Sequence, residues 1–143
     1  MNILLTGATG FIGKSLLKSL EHEYNVFLLV RETTDLSGIS GYKYFCFKNN
    51  IEDLSTYIKE NNIIGVVHLA SLYIAQHKSE QIKDLISSNV YLGAAIIEGA
   101  AKGGVKWFIN TGTIWQNYIY NKEDYCPVNF YAATKQAFIE IAK

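Results

Sequence analysis

Short apolar runs and amphipathic stretches alternate along this chain. Asn2-Ile3-Leu4-Leu5-Thr6 is unbroken by polar alternation and stops at glycines. Such a run predicts a strand covered on both faces, as in a parallel sheet. From Phe11 to about Glu21 the apolar positions switch to helical spacing, at Phe11, Ile12, Leu16, Leu17 and Leu20. Asn25–Val30 is a second apolar run, and 31–41 is polar and glycine-containing, hence a loop. Tyr42–Phe47 is an aromatic-rich third strand, Ile51–Glu60 a short amphipathic helix, and Ile64–Leu69 a fourth strand. Residues 79–102 read as one long helix, Val105–Asn110 as a fifth strand, 111–127 as a loop and 128–143 as a last helix. The single proline, Pro127, precedes that helix, where its fixed φ is tolerated.

Strands alternating with helices predict βαβ units. Right-handed crossovers then favour an α/β doubly wound parallel sheet, with strand order 3-2-1-4-5 and helices on both faces. A chain of 143 residues is long enough to bury one core, so residues 1–143 are expected to form one domain. The last helix meets the chain end without a C-cap signal, so the chain reads as truncated.

Composition narrows the functional classes. Thirteen basic residues balance thirteen acidic ones, so no nucleic-acid footprint or membrane-surface patch is expected. With 49% hydrophobic and 18% charged residues, disorder is not expected. No apolar run approaches the roughly 18 residues of a membrane span, and the N-terminus lacks a basic signal region. Cys46 and Cys126 are far apart and lack metal-ligand spacing, which reads as two reduced thiols in a cytoplasmic protein and predicts no metal site.

The first candidate chemistry lies between the first strand and first helix, in Thr6-Gly7-Ala8-Thr9-Gly10-Phe11-Ile12-Gly13. Glycines at G-x-x-G-x-x-G at a strand-to-helix turn fit a dinucleotide site. Gly7 permits the tight turn, Gly10 lets a pyrophosphate approach the backbone, and Gly13 lets the helix pack closely. The helix start supplies free N–H groups and a partial positive charge. Gly7, Thr9, Gly10, Phe11, Ile12 and Gly13 are therefore candidate cofactor contacts. A rival reading takes Ala8 through Gly13-Lys14-Ser15 as a relaxed phosphate loop of a triphosphatase. That enzyme needs a strand-end acid to hold magnesium, and the later strands end in Val30-Arg31, Phe47-Lys48, Leu69-Ala70 and Asn110-Thr111.

The second candidate is Tyr131-Ala132-Ala133-Thr134-Lys135, which places a phenol and an ammonium one helical turn apart. A nearby cation favours phenolate and lowers the tyrosine pKa. A phenol tuned this way can give a proton to a carbonyl oxygen or take one from a hydroxyl.

Together the glycine turn and the Tyr131–Lys135 pair resemble the short-chain dehydrogenase/reductase superfamily. The glycine spacing resembles its extended branch, the NAD-dependent epimerase/dehydratase family, and the resemblance covers the whole chain. Val67-His68-Leu69-Ala70 resembles that branch's fourth-strand motif, and Asn89-Val90 with Gly93 resembles its long-helix asparagine motif. The resemblance implies that Leu69, Ala70 and Ser71 contact the cofactor, with His68 a packed strand residue. It makes Asn89 a structural or proton-relay group near Lys135. It also implies a Ser or Thr just past the fifth strand that bonds the substrate oxygen. Register in Asn110-Thr111-Gly112-Thr113 puts Thr113 there, with Thr111 second. The family's Val-Tyr-Gly is replaced by Gln116-Asn117-Tyr118, and Tyr73, Trp115, Gln116 and Tyr118 are candidate substrate-wall residues.

NAD-using relatives carry an acid at the end of the second strand. Here Val30 and Arg31 stand there, and a guanidinium pairs with a 2′-phosphate, so NADP is expected, with Glu32 one residue away as the argument for NAD. Asn50-Ile51 resembles the family's Asp-hydrophobic pair at adenine, keeping an acceptor and losing the charge. An NADPH user is typically a net reductase, so the resemblance implies reduction of a keto group on a nucleotide-sugar. Two alternatives stay open: an NAD-retaining epimerase or dehydratase, and a dinucleotide-binding regulator without catalysis. Family members run to about twice this length and pair through two helices. Here that seam would be Ile86, Val90, Ala94 and Ile97 with Phe130, Ala137, Phe138 and Ile141, positions that fit core packing as well.

Overall fold

A computed structural model of the chain describes residues 1–117 and 125–143. The described residues form two compact units, one of residues 1–70 with 95–110 and one of residues 71–94 with 111–143.

The first unit is built on a five-stranded sheet. Its strands are β1 (Asn2–Thr6), β2 (Asn25–Val30), β3 (Lys43–Cys46), β4 (Ile63–His68) and β5 (Trp107–Asn110). They run parallel in the order β3-β2-β1-β4-β5, the doubly wound order expected from the alternation of elements. β1 is buried from Ile3 to Thr6, and β2 from Val26 to Val30, as unbroken apolar runs require.

Alternation of side chains splits the sheet into two faces. Ile3, Leu5, Val26, Leu28, Val30 and Val67 pack with Leu17 of α1 (Phe11–Leu20). Ile39, from the polar connection between β2 and β3, joins that cluster. On the other face, Phe27 and Phe45 meet Tyr57 of α2 (Ile51–Glu60). The later part of α4 (Leu92–Gly103) approaches α2 through two glycines: a Cβ on Gly99 would lie 2.8 Å from Leu54, and one on Gly103 2.4 Å from Ile58. A cross-strand pair shows the same fit within the sheet. Gly65 of β4 faces Trp107 of β5, and a Cβ on Gly65 would lie 2.0 Å from the indole.

The second unit departs from the expected single helix over 79–102. A 3-10 turn (Ser79–Gln81) leads into α3 (Ile82–Ile86), a π turn (Ser87–Tyr91) follows, and only then does α4 begin. A π turn carries an extra residue and marks a place where local demands override the α-helical ladder. α5 (Phe130–Ala142) packs on the π turn and α3, with Phe138 seated over Gly93. Phe138 is thus a core residue, whereas Ile82, Ile86, Tyr91 and Ile141 remain exposed.

Candidate functional site

In the first unit, the glycine turn is held by its own backbone and by the end of β4. Gly10 N–H donates to the Gly7 carbonyl at 3.0 Å. Gly7 has φ +71°, and a Cβ there would lie 2.7 Å from the Ala70 nitrogen. Both observations demand glycine. A Cβ on Gly13 would lie 2.0 Å from the Gly7 carbonyl oxygen, so the first turn of α1 rests directly on the loop. Gly10 caps α1 without a side-chain hydrogen bond, and the first turn holds no acidic residue. The N–H groups at this helix start therefore keep their capacity for an anion. Thr9, Gly10, Phe11 and Ile12 are exposed around them, Phe11 almost completely.

Thr6 locks the adjoining strand end. Its hydroxyl accepts the Ala70 N–H at 3.0 Å and lies 2.8 Å from His68 Nδ1. His68 is buried, so it is the packed strand histidine that the sequence reading expects. Leu69 and Ala70 are half-buried at the end of β4, beside the turn.

At the end of β2, Arg31 is exposed, and its backbone N–H donates to Thr34 Oγ1 at 2.9 Å. Glu32 lies 3.9 Å from Lys48, and among the described residues no ion pair engages Arg31. Asn50 caps α2, its Oδ1 accepting from Glu52 and Asp53 N–H at 3.0 and 3.3 Å. The acceptor expected to face adenine is thus spent on the helix, which leaves the Asn50 amide N–H and the half-buried Ile51.

The second unit carries the other candidate side chains. Asn129 starts α5 by accepting the Ala132 N–H at 2.9 Å, and Tyr131 and Lys135 then fall one turn apart. Lys135 is 2% exposed, and burial pushes its pKa down from 10.5. No described carboxylate pairs with it. A buried ammonium without a counter-ion needs neutral or anionic oxygens as partners. Tyr131 is buried, edge-on to Tyr73 at 5.1 Å between ring centroids, and Tyr73 in turn lies 5.7 Å from Trp115. Tyr73 is exposed and Trp115 half-buried.

Asn89 sits in the π turn and is buried. Its Oδ1 accepts the Leu72 N–H at 2.7 Å, while Nδ2 donates to the Leu72 carbonyl at 2.9 Å and to Thr134 Oγ1 at 3.0 Å. Both amide protons are committed, so the geometry makes Asn89 a clamp. The exposed Ser71 lies one residue before the clamped Leu72.

Past β5, Thr113 caps a 3-10 turn (Ile114–Gln116), its hydroxyl accepting the Trp115 N–H at 3.3 Å. Such a hydroxyl still has its own proton to donate. Gln116 is buried and bonded at both ends of its amide. Both polar ends of the side chain expected at the substrate wall are thus engaged within the protein. Tyr118 lies outside the described residues. Among the described residues no group of three or more His, Cys, Asp or Glu could hold a metal, and no helix is long and apolar enough to cross a membrane.

Within the first unit, a glycine cradle that a Cβ would fill and a helix start open to phosphate fit the pyrophosphate of a dinucleotide; within the second, the buried Lys135 has no described carboxylate partner. The chain is 31% identical over 143 residues to CDP-abequose synthase of Salmonella muenchen, covering 99% of this chain and 46% of that protein. It is 30% identical over 117 residues to CDP-abequose synthase of Yersinia pseudotuberculosis, covering 81% and 41%. The chain thus spans about half the length of the curated relatives it matches. Among solved structures, MoeE5 in complex with UDP-glucose and NAD superposes with a TM-score of 0.81 at 24% identity, over 99% of this chain and 48% of that one. The UDP-Glc/GlcNAc 4-epimerase of Campylobacter jejuni gives a TM-score of 0.82 at 18% identity, over 98% and 47%. At these identities the two structures establish the fold. The model of the NAD dependent epimerase/dehydratase family matches residues 3–143, and the chain belongs to that family.

Proposed function

We propose that this chain is the dinucleotide-binding part of an NADPH-dependent reductase that acts on a keto group of a nucleotide-sugar in polysaccharide synthesis. The carrying observation is the pair on α5: Tyr131 one turn from a buried Lys135 that no described carboxylate neutralises. The substrate class, a CDP-linked sugar, follows the name of the relatives, the CDP-abequose synthases.

The glycine turn and the open start of α1 bind the pyrophosphate, and the Asn50 amide and Ile51 take the adenine. When bound, the dinucleotide supplies the hydride. Tyr131 donates its proton to the carbonyl oxygen, and Lys135 favours the phenolate that remains while its other donors hold ribose hydroxyls. The Thr113 hydroxyl, with Thr111 the second candidate, donates to the same carbonyl oxygen and orients it. Tyr73 and Trp115 form an aromatic wall for the sugar.

Arg31 supports the choice of NADPH. Its guanidinium has no described ion-pair partner, whereas Glu32, the carboxylate that argues for NAD, lies 3.9 Å from Lys48. A second reading, an NAD-retaining epimerase, is favoured by the structures of MoeE5 and of the Bacillus cereus UDP-glucuronic acid 4-epimerase, both in complex with NAD. Calorimetric titration of the full-length protein separates the two. Tighter binding of NADPH than NADH, lost by roughly tenfold or more in Arg31→Ala, supports the reductase. Tighter binding of NADH supports the epimerase. Tyr131→Phe should abolish turnover, and a variant that kept it would refute the assignment.

The protein pairs with a second copy through the segments 79–102 and 128–143, where Ile86 and Ile141 of the expected seam are exposed. Sedimentation of wild type against Ile86→Glu checks this. The two cysteines are unpaired thiols, consistent with a cytoplasmic setting.

A further inference from the structure

The buried amide of Gln116 joins the loop that carries Thr113 to the helix that carries Tyr131 and Lys135. Its Oε1 accepts the Thr113 N–H at 2.8 Å and closes the 3-10 turn as a capping box. Its Nε2 donates to Gln136 Oε1 at 2.6 Å, and Gln136 is the residue after Lys135. Gln136 is held in turn, its Nε2 donating to Glu140, which Lys143 grips at 3.0 Å. The Gln116 backbone also takes part, because its carbonyl accepts the Cys126 N–H at 2.9 Å. At 6% exposure the Gln116 side chain has little water to turn to, so its lost partners would not be replaced cheaply.

We infer that Gln116 is a positioning residue: the Gln116–Gln136 latch fixes the threonine loop against α5, so that the Thr113 hydroxyl and the Tyr131 phenol address the same substrate oxygen. The hydrogen bonds run from the Thr113 backbone through the Gln116 amide to the Gln136 amide of α5. Gln116 touches no reacting atom in this arrangement. Its effect is geometric, and a displacement of about 1 Å between catalytic groups is enough to lower a rate strongly. The inference deepens the reductase reading and rests on it for the reaction served.

The test uses the full-length protein and two readouts. Gln136→Leu removes the far partner and leaves the capping box intact. It should lower kcat by about tenfold or more with KM for the dinucleotide close to wild type, and lower the thermal midpoint only by the few degrees that one unpaired buried amide costs. Amide hydrogen exchange at Thr113 should quicken in Gln116→Ala. The double variant Gln116→Glu with Gln136→Lys rebuilds the latch as an ion pair, retains an acceptor for the Thr113 N–H, and should recover most of the lost kcat. Wild-type kcat in Gln136→Leu would overturn the inference, as would unchanged Thr113 exchange in Gln116→Ala. A double variant no faster than Gln136→Leu would also overturn it. Full turnover in Tyr131→Phe marks the separate failure of the reductase reading, and the exchange measurement reports on the latch independently of it.

Discussion

Asn89→Ala isolates the clamp in the π turn. The side chain makes three hydrogen bonds, two to the backbone of Leu72 and one to Thr134. Truncation deserts the Leu72 N–H and C=O, and each buried group left unsatisfied costs about 1–3 kcal/mol. Leu72 is half-buried, so water reaches it in part and the lower half of that range applies. Thr134 keeps its bond to the Tyr131 carbonyl at 2.7 Å and adds little. The sum is a loss of about 2–4 kcal/mol. Urea unfolding of full-length wild type and variant, compared at equal m-value, measures it. A difference below about 0.5 kcal/mol, the range of an ordinary surface change, would refute the clamp. Lost turnover at unchanged stability would instead return Asn89 to the proton-relay role. Asn89→Asp sharpens the test, since it retains the acceptor for the Leu72 N–H but sets a carboxylate against the Leu72 carbonyl. It should cost at least as much as alanine.

Lys135→Met should abolish turnover yet raise stability at pH 7. Burial makes the folded-state ammonium give up its proton more readily than an unfolded lysine, so the unfolded chain binds more protons in the window below pH 10.5. Wild-type stability therefore climbs as pH rises through that window, and the methionine variant should lose this slope in unfolding experiments. Gly13→Ala puts a methyl group where the Gly7 carbonyl oxygen stands, forcing α1 off the turn. It should cost about 1–3 kcal/mol in urea unfolding and weaken dinucleotide binding by calorimetry.

The buried elements were legible because one physical cause dominates them. Apolar runs mark β1, β2 and α2 to the residue, since burial on both faces, or on one helical stripe, decides their pattern. β3 and β5 came out shorter than the runs that announce them, because Tyr42 and Phe47, and Val105 and Lys106, continue past the ladder pairing. Periodicity could not reveal the break at residues 87–91, because the side-chain bonds of Asn89 are made to residues far along the chain. The glycine turn and the Tyr131–Lys135 pair were readable from spacing alone, since each works within a few residues. The roles of Gln116 and Asn50 were not. An amide looks alike in sequence whether it faces a ligand, caps a helix or ties a loop, and only the count of its satisfied donors and acceptors separates the cases. Glu32 is similar: its engagement by Lys48 requires β2 and β3 to end side by side.

The pairing of Gly65 with Trp107 has a consequence for how such a sequence can drift. The indole occupies the volume that a side chain on Gly65 would need, so neither position has an independent set of tolerated residues. Alanine at 65 is deleterious while tryptophan stands at 107 and becomes acceptable only once a smaller residue replaces it. The reverse order opens a void beside β4 first and is also disfavoured. Every two-step route between glycine–tryptophan and a more even division of volume therefore crosses a less stable intermediate. The two strands are coupled by epistasis as well as by hydrogen bonds, and lineages should retain one division of volume or the other as a block.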